Sequence, residues 1–191
     1  MSISRVITGV ILSLLSLTMI PAQDKSKALP GGFRGDFLNQ MQDTEKKLED
    51  LAQAMPDSTY GWRPMEGVRS VSEVYIHIAG ANYLFPRFFG VKPPEGLDKD
   101  AEKNITEKSK VVEYLRTSFD HIRQAVLQTL DDSLNNPTKM FGEETTYRGA
   151  IFTAATHMHE HLGQAIAYAR MNRVVPPWTA AEQAKEKESK K

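Results

Sequence analysis

The chain has 191 residues, a length that suits one domain with its own core and is short for two. Its 24 basic and 24 acidic residues cancel at neutral pH, so no global field draws it to nucleic acid or to an anionic membrane. With no cysteine, it has no disulfide, thiolate metal site, cysteine nucleophile or lipidated cysteine, and any metal must be held by nitrogen and oxygen.

The first element read along the chain is a leader. Arg5 precedes an apolar run from Val6 to Ile20, which meets Pro21, Ala22 and the polar Q-D-K-S-K. A basic head, an apolar middle and a small-residue exit make a secretory signal, although Ile20 stands where a small residue is usual. The alternative, an uncleaved anchor, needs about 20 apolar residues, and this run is shorter. Residues 1–22 are therefore expected to be a signal peptide cut near Ala22 or Gln23. The mature protein is then exported, periplasmic or secreted, with no stable membrane association.

Four amphipathic helices follow. After Pro30-Gly31-Gly32, Phe33, Phe37, Met41, Leu48, Leu51 and Met55 recur at helical spacing up to Pro56. Ser70-Val71-Ser72-Glu73 has the form of a capping box and starts the second helix. Its stripe is Val74, His77, Ile78, Ala81, Leu84, Phe85 and Phe88, with Pro86 kinking the last turn. Past a loop over residues 90–105, Thr106 is the expected N-cap of the third helix. Its buried face is read as Val112, Leu115, Phe119, Ile122, Val126 and Leu130, with His121 off the middle. A short extended piece follows Pro137, and a long fourth helix runs from about Thr145 to Asn172, before Pro176-Pro177. The expected class is all-α, a four-helix bundle over residues 30–178, with residues 179–191 as a charged, disordered tail.

Three of the five histidines fall within T-H-M-H-E-H-L-G-Q, Thr156 to Gln164. A helix turns about 100° per residue, so His157 and His161 share a face about 40° apart, while His159 points away. Tyr147, Ile151, Ala154, Met158, His161, Ala165 and Tyr168 form the inward line, and His157 lies beside it. His77, inside the stripe of the second helix, is the third inward histidine. Three imidazoles can hold one ion and leave a fourth position for water or substrate; the plainer alternative is core hydrogen bonding. The motif is not that of a metalloprotease helix, because Met158 stands where H-E-x-x-H needs glutamate, and Glu160 is expected to face solvent.

The segment H-M-H-E-H-L-G-Q-A-I-A-Y-A-R-M-N-R-V-V-P-P, with R-P-M-E-G-V-R-S-V-S-E-V-Y-I-H-I-A-G-A upstream, resembles the DinB superfamily, also called DinB/YfiT-like. The resemblance covers nearly all of the chain after Phe33. It implies a four-helix bundle, often a homodimer, with a divalent metal held by His77, His157 and His161. Zinc is the foremost candidate, with nickel, iron or manganese as alternatives. Gln164 is read equally as a group that orients a ligand or as a tie between helices. Tyr60, Trp62 and Arg63 either line the mouth of the site or pack a loop on the bundle end.

Members of that superfamily include metal-dependent small-thiol S-transferases and metal-dependent hydrolases. A bound metal suits either, since it lowers the pKa of a thiol or of water. Export favours hydrolysis, which needs only water, although no general base is evident. A non-catalytic metal-binding or stress-response module is the third reading. The substrate is not legible. Aromatic residues such as Phe85, Phe88 and Phe89 support the expectation of a dimer.

Overall fold

The computed structural model describes residues 29–190, and the expected signal peptide lies outside them. Among these residues the chain is mostly helical. Helix α1 spans Gly32–Ala54 and turns Phe37, Leu38, Met41, Thr44, Leu48, Leu51 and Ala52 inward. Helix α2, Val71–Leu84, opens on the expected capping box: the Ser70 hydroxyl accepts from the Glu73 amide, and the Glu73 carboxylate accepts from the Ser70 amide at 2.6 Å. Ser70 and Glu73 thus satisfy two amide donors that a helix start leaves unpaired.

Helix α2 is more deeply enclosed than a single stripe implies. Val71, Tyr75, Ile76, Ala79 and Asn82 are buried as well as the predicted Val74, Ile78, Ala81 and Phe85, because α4 and α5 both pack on it, while the predicted His77, Leu84 and Phe88 are half-buried. At Phe85 it tightens into a 3-10 turn through Phe89, with Pro86 at the start and left-handed Gly90 at the end. Phe85 and Phe89 enter the core, and Phe88 is half-buried.

The 90–105 loop contains a short helix, α3 (Ala101–Asn104), with Ala101 as its buried residue. Helix α4 spans Lys108–Gln128 with Glu107 at the N-cap, one residue later than expected. Its inward face includes Val111 rather than Val112, and Leu130 is exposed because the helix ends before it. The extended piece is a hairpin in which β1 (Pro137–Met140) pairs antiparallel with β2 (Glu143–Thr146). Phe141 and Gly142 turn it with φ of 52° and 98°.

Helix α5, Tyr147–Met171, follows β2 without a linker, and the Thr146 side chain caps it by accepting from the Gly149 amide at 3.2 Å. Gly149 must be small here, since a Cβ would collide with the Thr145 hydroxyl. The inward line predicted for this helix is buried from Ile151 to Tyr168. Helix α6, Pro177–Ser189, takes up most of the segment expected to be disordered. It starts on Pro177 and contains A-A-E-Q-A-K-E-K, strong helix formers. None of its residues is buried, in keeping with the missing apolar face, and Trp178 is half-buried against the core.

The four long helices share one core: α2 packs on α4 and α5, and α1 packs on α4 and α5. His77 on α2 and two histidines of α5 therefore meet across one helix interface. No helix of the described residues is long and apolar enough to cross a membrane.

Candidate metal centre

His77 lies two turns inside α2, and His157 and His161 lie on successive turns of α5. Their ring centroids are 5.1 Å apart for His77 and His157, 4.7 Å for His77 and His161, and 4.5 Å for His157 and His161. One ligand nitrogen from each lies within 4.8 Å of the others, and the His77 and His157 Nε2 atoms are 3.2 Å apart. His161 is buried, while His77 and His157 are half-buried, so one side of the group reaches solvent.

The donor set fits a divalent ion. Two nitrogens on a tetrahedral ion with bonds of about 2.0–2.1 Å lie about 3.3 Å apart, close to the His77–His157 separation. Burial pushes the His157 imidazole down to about 4, reinforced by His161, His77 and the Arg69 cation. Burial also lowers His77, although its bond to Glu102 opposes the shift. Both rings are thus neutral at pH 7 and have a lone pair to offer, the state a metal requires.

Two of the three rings are oriented from behind. His77 Nδ1 donates to Glu102 Oε1 at 3.0 Å, and His161 Nδ1 donates to Gln164 Oε1 at 2.8 Å. Each bond puts the proton on Nδ1 and turns the Nε2 lone pair toward the cluster, as outer partners of metal-bound histidines do. Burial raises the Glu102 carboxyl, but hydrogen bonds from Arg69 and His77 outweigh it and hold the group ionised below its usual range. His157 differs: its Nδ1 is buried without a hydrogen-bond partner, and its ring stands edge-on to Phe85 at 5.4 Å. Phe141, exposed at the hairpin tip, continues this aromatic side by packing edge-on to Phe85 and Phe88.

The remaining histidines lie elsewhere. His159 is exposed; its Nδ1 donates to the Ala155 carbonyl, and its Nε2 meets the Thr44 hydroxyl of α1 at 3.2 Å. His121 is near Tyr83, with burial lowering its pKa. Glu160 is exposed, as expected. Gln164 takes the orienting role: its Oε1 accepts from His161 Nδ1, and its Nε2 donates to the Tyr168 hydroxyl one turn further along the same helix at 3.1 Å, so neither bond ties α5 to another helix.

In the 56–70 loop the three candidates separate. Tyr60 is a packing residue whose hydroxyl donates to the Ala52 carbonyl, and Trp62 stands edge-on to Tyr168 at 5.4 Å. Arg63 lines a groove of about 610 Å³ together with Arg69, Glu73, Glu102, Lys103 and Gln164. Glu102 and Arg69 were not among the sequence candidates. No periodicity in the 90–105 loop singles out Glu102 among its several charged residues.

A mostly helical chain that gathers three imidazoles at one helix interface belongs to a recognisable class, that of helical proteins able to hold a metal between facing helices. Residues 40–165 match the family model of the DinB superfamily, and the chain belongs to that superfamily. It is similar in fold to a DinB-like protein of Bacillus cereus, with a TM-score of 0.65 at 19% identity over 74% of this chain and 93% of that one. A DinB-like protein of Bacillus subtilis, YjoA, gives a TM-score of 0.59 at 19% identity, covering 73% of this chain and 93% of that one. A conserved protein of Enterococcus faecalis gives 0.60 at 17% identity, covering 74% and 97%. Among curated proteins none matches the chain.

Proposed function

We propose that this protein is a four-helix bundle of the DinB/YfiT type that holds a divalent metal, zinc foremost, through His77, His157 and His161, and acts as a metal-dependent hydrolase. The observation that carries this reading is the convergence of three ligand nitrogens within 4.8 Å, two of them turned inward by Glu102 and Gln164. A metal bound there supplies Lewis acidity and lowers the pKa of water at its free position. The chain's own contribution is orientation. Glu102 and Gln164 fix the proton positions of His77 and His161, and the aromatic rings beside His157 keep water from that flank.

Thiol S-transfer is the second reading, and the groove lined by Arg63, Arg69 and Lys103 favours it, since a small thiol's carboxylates need cations. Hydrolysis leads because Arg63 is already paired with Glu73 and Arg69 with Glu102, so an anion would have to displace both. A bound metal without turnover is the third reading. Metal analysis of the purified protein, followed by ester, amide and thiol-conjugation assays, separates the three. Ester or amide turnover lost on chelation and restored by metal supports hydrolysis, whereas metal content without either activity defeats both enzyme readings.

We propose also that residues 1–22 direct export. N-terminal sequencing of extracytoplasmic protein is expected to begin near Gln23, and intact Met1 protein confined to the cytosol would refute this. Self-association into a homodimer rests on the superfamily, and sedimentation at micromolar concentration tests it.

A further inference from the structure

Arg69 touches none of the three histidines by hydrogen bond, yet it stands between the outer partners of two of them. On one side its Nε donates to Glu102 Oε2 at 2.9 Å, and the other oxygen of that carboxylate accepts from His77 Nδ1 at 3.0 Å. On the other side the Arg69 backbone carbonyl accepts from the Tyr168 hydroxyl at 3.2 Å. That hydroxyl accepts from Gln164 Nε2 at 3.1 Å, and Gln164 Oε1 accepts from His161 Nδ1 at 2.8 Å. Every donor and acceptor along this chain is consistent with one assignment, in which both histidines carry their proton on Nδ1 and present Nε2 to the cluster. The surroundings hold the ends in place: Tyr168 is 7% exposed and packs on Trp62, and Ser70, next to Arg69, is fixed by the capping box.

We infer that Arg69 is a positioning residue for the metal site, acting on His77 through Glu102. The Glu102 carboxylate lies in a loop, on a helix of four residues, and Arg69 is the cation that ties it to the bundle. A carboxylate so held stays aimed at His77 Nδ1, which keeps the His77 Nε2 lone pair available. The inference rests on the three-histidine metal reading, but its effect on the His77 proton exists without metal.

Two effects of Arg69 oppose each other, and this makes the role testable. As a positive charge near the cluster it repels a cation, so its loss through space would tighten metal binding. As the anchor of Glu102 its loss would weaken binding, by about tenfold or more if it acts as outer partners of metal ligands do.

The experiment titrates Co2+ into wild type, Arg69→Met, Arg69→Lys, Glu102→Gln and the double variant Arg69→Met/Glu102→Gln at pH 7.5, with circular dichroism to verify folding. Arg69→Met is expected to lose about tenfold in affinity and Arg69→Lys less, with no further loss when Arg69→Met is added to Glu102→Gln. Long-range proton–nitrogen spectra of the metal-free proteins are expected to show His77 protonated on Nδ1 in wild type and mixed in Arg69→Met, with His161 unchanged. Unchanged or tighter Co2+ binding by Arg69→Met, or an undiminished loss in the Glu102→Gln background, overturns the inference. Absence of Co2+ binding by wild type defeats the metal reading instead, and the spectra then decide whether Arg69 positions His77. A His77 signal identical in wild type and Arg69→Met overturns that as well.

Discussion

His77 and His161 on one side and His157 on the other belong to one cluster but stand in unlike surroundings. The first two are held by directed bonds: each has its Nδ1 proton accepted by a side-chain oxygen. His157 has no outer partner: Phe85 stands edge-on to its ring, its buried Nδ1 is unpaired, and its one hydrogen bond runs within the cluster, from Nε2 to His77 Nε2. A bond from Nδ1 to an outer oxygen leaves Nε2 free for a metal, whereas His157, whose Nε2 donates to His77 Nε2 in the metal-free protein, must give up that proton or turn its ring to ligate. The polar half of the site is therefore set in advance for a metal, and the aromatic half governs access and desolvation.

The largest effect expected is loss of the metal when any member of the cluster is removed. His77→Ala, His157→Ala and His161→Ala should each lower divalent-metal affinity by about a hundredfold or more, since two imidazoles rarely hold an ion alone. His159→Ala and His121→Ala should retain it. A calorimetric titration in which His157→Ala binds like wild type would remove His157 from the ligand set and break the comparison at its root.

A smaller contrast separates the two modes of support. Gln164→Leu removes the acceptor behind His161 and should weaken metal binding by about tenfold while stability changes little. Phe85→Leu reduces packing behind His157 and should cost about 1–2 kcal/mol in urea unfolding with a lesser effect on affinity. Equal effects of both variants on affinity would show that the two halves are supported alike.

The next effect is on stability against pH in the metal-free protein. His157 is shifted down to about 4 from an ordinary value of 6.5. Between these values the unfolded chain binds more protons than the folded one, so stability rises with pH across the window. His157's share is present above about 6.5 and is lost as pH falls toward 4. His77 and His121, also lowered by burial, act with the same sign. Denaturant titrations at pH 7, 6, 5 and 4.5 should give a shallower slope for His157→Gln than for wild type, and matching slopes would contradict the assignment.

The smallest change is expected at His159, which serves as a tie from α5 to Thr44 on α1. His159→Ala should cost about 1 kcal/mol in unfolding free energy and leave metal content unchanged. A loss of metal there would place the cluster on the wrong face of α5.

The α5 half of the site was legible because helical periodicity is strict over a long helix. Ile151, Ala154, Met158, His161, Ala165 and Tyr168 fall on one buried line, and His157 follows from its spacing of four. His77 was legible as a polar residue inside an apolar stripe. Glu102 and Arg69 were not, because they lie in segments too short to show a period and are brought to the histidines by tertiary contact. The one-residue error in the start of α4 has a related origin, since Glu107 and Thr106 are adjacent polar candidates and no side-chain cap bond marks the start. Separately, Val111 and Val112 stand four and three residues before Leu115, so both fit the inward spacing, and Val111 is fully buried while Val112 is partly buried.

The direct junction between the hairpin and α5 has a consequence for how this chain can change over time. Thr146 caps the helix and Gly149 sits against Thr145, so the angular starting point of α5 is pinned just before the histidines. Inserting or deleting one residue between Tyr147 and Thr156 would turn everything beyond it by about 100°, carrying His157 and His161 away from His77 together. At the hairpin tip, where Phe141 and Gly142 are exposed, length variation would be absorbed before the cap. Descendants of this sequence should therefore tolerate gaps at 141–142 while keeping the distance from 146 to 161 constant, much as a key keeps its teeth at fixed spacing while its handle varies.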